Sequence, residues 1–184
     1  MTRNVAISLG HNPSAPGKTD GSLSEFSLMA PVFGKTISIL MSNGVGAWIV
    51  PSGPLNHKIH YVNDGHYNLA VEIHANASNE TAANGCEVLY FPTSTKGPIL
   101  ASSIQDQLVV KLPLKDRGTK PGYYQGDPAN GTLAFLQDTK CPAVIVEPGF
   151  MTNPSDRSIL LDKPDVIAEA IALGILSGLQ KLGE

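Results

Sequence analysis

Three short apolar runs constrain this chain more than any other feature, because each ends on a residue equipped for chemistry. Residues 5–9 (Val-Ala-Ile-Ser-Leu) lead into Gly10 and His11, residues 69–73 (Leu-Ala-Val-Glu-Ile) into His74, and residues 143–146 (Ala-Val-Ile-Val) into Glu147. Short, nearly continuous apolar runs of this kind predict strands covered on both faces. Residues 47–50, 86–91 and 132–136 are weaker strand candidates. Helical patterns lie between them. Ser22 and Glu25 match a capping box ahead of an apolar stretch reaching to about Met41, in which Pro31 predicts a kink or a late start. Residues 99–112 have helical spacing, and residues 55–67 are polar and only weakly helical. Residues 164–182 place Val166, Ile167, Ala170, Ile171, Ile175, Leu176 and Leu179 on one broad face. Residues 11–21, 76–85 and 113–131 are polar or rich in Gly and Pro and read as loops, the last bordering a substrate groove. Strands alternating with helices predict a single α/β domain, residues 1–184, on a twisted, mostly parallel sheet.

Composition narrows the function. A net charge of −3 lacks the basic footprint of a nucleic-acid binder. No stretch approaches the ~18 uncharged apolar residues of a membrane span, so no membrane anchor is expected. The apolar run before Gly10 is too short for the core of a signal peptide. The expectation is synthesis in the cytoplasm, with another factor giving access to any target outside. Cys86 and Cys141 belong to no CxxC pattern and read as small buried hydrophobes rather than ligands. The sequence contains no GxSxG elbow, P-loop or GxGxxG fingerprint.

In open α/β sheets, sites form beyond the carboxyl ends of the strands, where His11, His74 and Glu147 converge. Two neutral imidazoles and a carboxylate make a hydrolytic zinc site with one position open to water. A second carboxylate is then needed to take the water proton and return it to the leaving amine. Glu25 and Glu147 are the candidates for these two roles. Each residue also has a plainer reading: His11 as a turn residue, Glu25 as a capping partner of Ser22, His74 as a core histidine. Glu147 has the weakest one, since an unpaired carboxylate directly after a buried run costs several kcal/mol. His57, His60 and His66 read as solvated.

The ordered residues resemble the zinc-dependent N-acetylmuramoyl-L-alanine amidases of type 3. The likeness runs through Gly10-His11, Glu25, Ile73-His74-Ala-Asn76-Ala77, Gly85-Cys-Glu87, Arg117-Gly-Thr-Lys120 and Val146-Glu147-Pro-Gly-Phe150-Met-Thr-Asn153. It implies zinc held by His11, Glu25 and His74, with Glu147 as catalytic acid/base. It also implies a mixed sheet of about six strands with helices on both faces. The reaction implied is hydrolysis of the amide between N-acetylmuramic acid and L-alanine in peptidoglycan. Asn76, Glu87, Arg117 and Lys120 become substrate-binding candidates. Glu72 stands where the family often carries Ser and shares a strand face with His74. It is a candidate to orient that imidazole, the alternative being that it replaces Glu25 as a ligand. The compact chain resembles phage endolysin catalytic domains, with no separate wall-binding domain and no obligate protein partner expected. Two other functions stay open: a zinc peptidase acting on the stem peptides, and a catalytically dead peptidoglycan-binding module.

Overall fold

The computed structural model describes residues 3–184. In chain order the elements are β1 (Asn4–Leu9), β2 (Thr19–Asp20), β3 (Leu23–Ser24), α1 (Glu25–Ser42), β4 (Gly46–Ile49), α2 (Leu55–Asp64), β5 (Leu69–Ile73), β6 (Cys86–Tyr90), α3 (Gly97–Lys111), β7 (Asp116–Pro121), α4 (Ala134–Asp138), β8 (Ala143–Glu147), α5 (Pro154–Asp162) and α6 (Pro164–Leu182). Six strands form one sheet in the order β4-β1-β5-β8-β6-β7, while β2 and β3 make a separate hairpin. Strands β4, β1, β5 and β8 run parallel. Strand β6 runs antiparallel to β8, and β7 runs parallel to β6. The sheet is therefore mostly parallel but mixed, as expected.

The apolar runs occupy the sheet centre because both of its faces are covered. Val5, Ile7, Val71, Ile73, Val144 and Val146 pack toward α1, α3 and α6. Ala6, Ala70 and Ile145 pack toward α2 and α4, with Ile59, Val62, Phe135 and Leu136. The parallel order brings the carboxyl ends of β1, β5 and β8 to one edge. Because β6 runs the other way, its first residues, Cys86 and Glu87, reach that same edge.

Four expectations are corrected. The capping box of α1 is Ser24 with Ser27, since the β2–β3 hairpin occupies the preceding residues and Glu25 turns inward. The helix also runs through Pro31 rather than starting there. Within the expected loop 113–131, Asp116–Pro121 forms the edge strand β7. Its composition is polar because an edge strand carries charge and ends on Pro without losing a ladder bond. Residues 134–138 are helical rather than extended, burying Phe135 and Leu136. Cys86 is buried, Cys141 only half-buried, and both are free.

Candidate metal centre and active site

His11, Glu25 and His74 meet at the carboxyl edge of the sheet, their ligating atoms all within 4.8 Å of one another. His11 follows β1 with φ of 62°, an uncommon left-handed conformation for a residue with a side chain. Such backbone strain persists where the surroundings hold it and is frequent at functional sites. Glu25 is the first residue of α1, where the helix dipole favours a carboxylate. Its Oε2 lies 3.0 Å from His11 Nε2 and its Oε1 2.8 Å from His74 Nδ1. Ala75 N–H also donates to Oε1, at 3.2 Å.

Small residues shape this cradle. A Cβ on Gly10 would stand 2.5 Å from Cε1 and Nδ1 of His74, and one on Gly17 would strike His11 and Glu25 at 2.6 Å and 2.7 Å. Two imidazoles and one carboxylate, converging where Gly10 and Gly17 leave room for them, fit a tetrahedral metal with one open position.

The far nitrogen of His74 is also held. Nε2 lies 3.1 Å from Glu72 Oε2. Glu72 Oε1 accepts from Ser8 Oγ at 2.9 Å and from Lys58 Nζ at 3.1 Å, and the same ammonium donates to the Leu9 carbonyl at 2.5 Å. Glu72 and Lys58 are both buried. With Nε2–H donated to Glu72, loss of the Nδ1 proton that bonds Glu25 would leave the Nδ1 lone pair facing the centre of the cluster. This is the arrangement expected of a carboxylate that orients a metal-binding imidazole.

Burial raises the pKa of Glu25, but hydrogen bonds from His11 and His74 outweigh it and hold the group down at about 2. Burial opposes protonation of His74, yet the bonds to Glu25 and Glu72 lift it to about 10. The cluster without metal is thus an ion-paired network. A metal entering it must displace a proton from His74.

Glu147 ends β8 directly opposite Glu87 across the antiparallel β6–β8 pair. Asn76 bridges the two, donating through Nδ2 to Glu87 Oε1 at 2.7 Å and to Glu147 Oε2. Glu87 also carries two cations, Arg117 Nε at 2.9 Å and Lys120 Nζ at 2.5 Å. Burial would raise the pKa of Glu87, but Lys120 and Arg117 keep it below the usual carboxylate range. Among the described residues, no lysine or arginine pairs with Glu147. Burial first, and then the negative charges of Glu87 and Glu25, push it up to about 7, against the opposing influence of His74. A carboxyl poised there can both accept and return a proton at neutral pH.

The structure thus brings together every residue singled out from the sequence. His11, Glu25 and His74 cluster, Glu72 stands behind His74, and Glu147 lies beside the cluster with Asn76, Glu87, Arg117 and Lys120. His57, His60 and His66 are exposed and apart from the site. Sequence reasoning missed Lys58. A signal was present, because Leu55, Lys58, Ile59 and Val62 follow the i, i+3, i+4, i+7 spacing of a core-facing stripe.

Two hollows flank the cluster. One, of about 410 Å³, is lined by Leu55, Lys58, Glu72, Tyr124, Phe135 and Ile145 among others, with His11 and His74 at its edge. The other, of about 630 Å³, contains Asn76, Glu87, Arg117, Lys120, Tyr123 and Glu147.

A mixed α/β sheet that gathers two histidines and one glutamate at its carboxyl edge, with a second glutamate beside them, defines a hydrolase-type site whose donor set could hold a metal ion. A family model for N-acetylmuramoyl-L-alanine amidase (amidase type 3) matches residues 5–177, and the chain belongs to that family. It is 33% identical over 129 residues to the N-acetylmuramoyl-L-alanine amidase LytC of Bacillus subtilis, covering 67% of this chain and 24% of that protein. The chain therefore spans about a quarter of that curated relative's length. Among solved structures, the amidase AmiC2 of Nostoc punctiforme superposes with a TM-score of 0.86 at 28% identity, covering 97% of both chains. The catalytic domain of the CD27L endolysin, which targets Clostridia difficile, gives 0.76 at 29% identity, covering 95% of this chain and 97% of that one.

Proposed function

We propose that this domain is a zinc-dependent N-acetylmuramoyl-L-alanine amidase. On this reading it cuts the amide that joins the lactyl group of N-acetylmuramic acid to L-alanine in peptidoglycan. The observation that carries the reading is the division of labour at the sheet edge: three inward-facing donors form one cluster, and a separate, half-buried glutamate sits beside it with its pKa pushed up to about 7. A dead binding module has no use for that glutamate.

His11 Nε2, Glu25 and His74 Nδ1 would hold the zinc. When bound, the ion would polarise the scissile carbonyl and make water a competent nucleophile near neutral pH. Glu72 keeps His74 in the tautomer whose Nδ1 is free, and Lys58 and Ser8 keep Glu72 in place. Glu147 takes the proton of the attacking water and delivers one to the departing L-alanine nitrogen. Asn76 fixes the carboxyl plane for both transfers. Arg117 and Lys120 share Glu87 and line the hollow beside Glu147, where they can receive carboxylates of the stem peptide. The likeness to CD27L supports a finer reading, an endolysin-type lytic domain acting on the wall once another factor gives access to it.

Digestion of purified peptidoglycan, with and without a chelator, tests the reading by mass spectrometry of the fragments. The expected products are intact stem peptides with a free L-alanine N-terminus and glycan strands bearing lactyl carboxylates, both absent with chelator. Cleavage within the stem peptide would establish the zinc peptidase instead. Binding to the wall without cleavage would establish the binding module.

A further inference from the structure

The two hollows differ in chemistry, and so do the two halves of the substrate. Resting on the amidase reading, we infer that the apolar hollow is the acyl-side subsite. It would take the uncharged muramoyl sugar with its lactyl methyl and acetamido groups, so that the substrate lies across the cleft in one fixed direction.

Two independent observations set that direction. The first is the position of Glu147. A group that protonates the leaving nitrogen must lie on the leaving-group side of the scissile bond, and Glu147 opens into the hollow of Arg117 and Lys120. The peptide therefore leaves on that side, and the acyl half lies across the cluster, where His11 and His74 border the other hollow. The second is charge. In the peptide-side hollow Arg117 and Lys120 share Glu87, with Glu147 as the second carboxylate, and the partly exposed Lys120 ammonium is within reach of an anionic ligand. In the other hollow the charged groups Lys58 and Glu72 are buried against each other at 3.1 Å. What that hollow offers a ligand is Leu55, Pro54, Tyr124 and the wall of Phe135 and Ile145. The stem peptide carries free carboxylates. The muramoyl half has spent its only carboxyl in the amide and presents methyl groups and the apolar face of a pyranose. An anion deep in the apolar hollow would be desolvated with no free lysine or arginine to pair with it, since Lys58 is held by Glu72 and the Leu9 carbonyl, and that penalty favours the direction. A volume of about 410 Å³ accommodates one substituted monosaccharide.

Leu55 and Tyr124 make the test clean. Both are exposed large side chains and line only the apolar hollow. Leu55 begins α2, where Asp is a favourable helix-start residue, so Leu55→Asp preserves the fold. Kinetics with zinc-loaded protein would compare a muramoyl pentapeptide with the same peptide capped by (R)-2-methoxypropionyl, which keeps the lactyl amide and lacks the sugar. Loss of sugar contacts should lower kcat/KM of the unmodified enzyme by about tenfold or more, the scale of losing a few apolar groups from a pocket. Leu55→Asp and Tyr124→Ala should impair the muramoyl substrate by a similar factor and the sugar-less one by less than about twofold. Lys120→Gln should impair both substrates alike. A second arm needs no turnover: neutral N-acetylmuramoyl methylamide titrated into ¹⁵N-labelled, zinc-free protein should shift amides around Leu55 and Tyr124. Shifts confined to Arg117 and Lys120, or a Leu55→Asp defect equal on both substrates, would overturn the assignment. Failure of the unmodified enzyme to cut the muramoyl peptide would overturn the amidase reading, and the titration would still locate the sugar.

Discussion

Gly10→Ala adds a single methyl group and should disable the metal centre. Gly10 does not have a positive φ, so alanine introduces no backbone strain of its own. The effect is steric. The new Cβ would lie 2.5 Å from two atoms of the His74 ring and 2.6 Å from Nε2. Carbon atoms pack at about 3.5–4.0 Å, so something must move by about 1 Å. The backbone of Gly10 is not free to do so, because its N–H donates to the Ile73 carbonyl at 2.7 Å and ties β1 to β5. The ring must retreat instead. It is held at 2.8 Å by Glu25 and at 3.1 Å by Glu72, and a shift of that size stretches or breaks one of these bonds. Zinc sites tolerate displacements of about 0.2 Å, far less than this. Zinc affinity should therefore fall by at least the ~10–100-fold typical of losing an orienting partner. Overpacking should cost about 1–3 kcal/mol of stability on top. Competition against a chromophoric chelator reads the affinity, and circular dichroism confirms that the fold persists. A folded Gly10→Ala protein that binds zinc as tightly as the unmodified chain would refute the steric argument and the assignment of His74 as a ligand with it.

The other expectations concern the proton, the ligands and the sulfur atoms. Glu147→Gln should lower the rate by at least about 100-fold while zinc, measured by elemental analysis on the same sample, stays bound. Glu147 must be ionised to accept a proton, so kcat/KM should climb as pH rises toward about 7. Glu87→Gln removes a neighbouring negative charge, which lowers the Glu147 pKa and should move that ascending limb to lower pH; an unmoved limb would exclude the coupling. Glu25→Ala should weaken zinc binding far more than Glu72→Ala, and the reverse order would exchange ligand and orienting residue. Changing Cys86 and Cys141 together to Ser should leave zinc content unchanged, since neither thiol belongs to the cluster.

The parts of this molecule legible in its sequence are those where one local pattern determines one structure. A buried parallel strand leaves a bare apolar run, and the polar residue that ends it must have a purpose, so His11, His74 and Glu147 stood out. Glu25 was ambiguous because a helix-start glutamate serves equally as a cap and as a ligand. Only the hairpin before α1, which gives capping to Ser24 and Ser27, frees it. Strand β7 was hidden by being an edge: Asp-Arg-Gly-Thr-Lys-Pro has no apolar face to display. The poised pKa of Glu147 was hidden for another reason. It depends first on burial at the end of β8 and then on the cross-strand register that sets Glu87 opposite, a relation between residues 60 positions apart. Lys58 escaped because a lone lysine in a polar helix looks solvated until its partner, Glu72, is known.

The place of β8 in the sheet also bears on how the chain becomes an enzyme. Strand β8 is late in the chain, yet it lies between β5 and β6 and bonds to both. Until it is inserted, β4-β1-β5 and β6-β7 are two half-sheets with nothing joining their edges. Both pairings of β8 close long loops, whose entropy must be met before the sheet is whole. Closure of the sheet and the arrival of Glu147 beside His11, Glu25 and His74 are therefore a single event. On the proposed reading, the site lacks its acid/base until β8 closes the sheet, so metal-binding residues and proton shuttle are joined only in the complete fold.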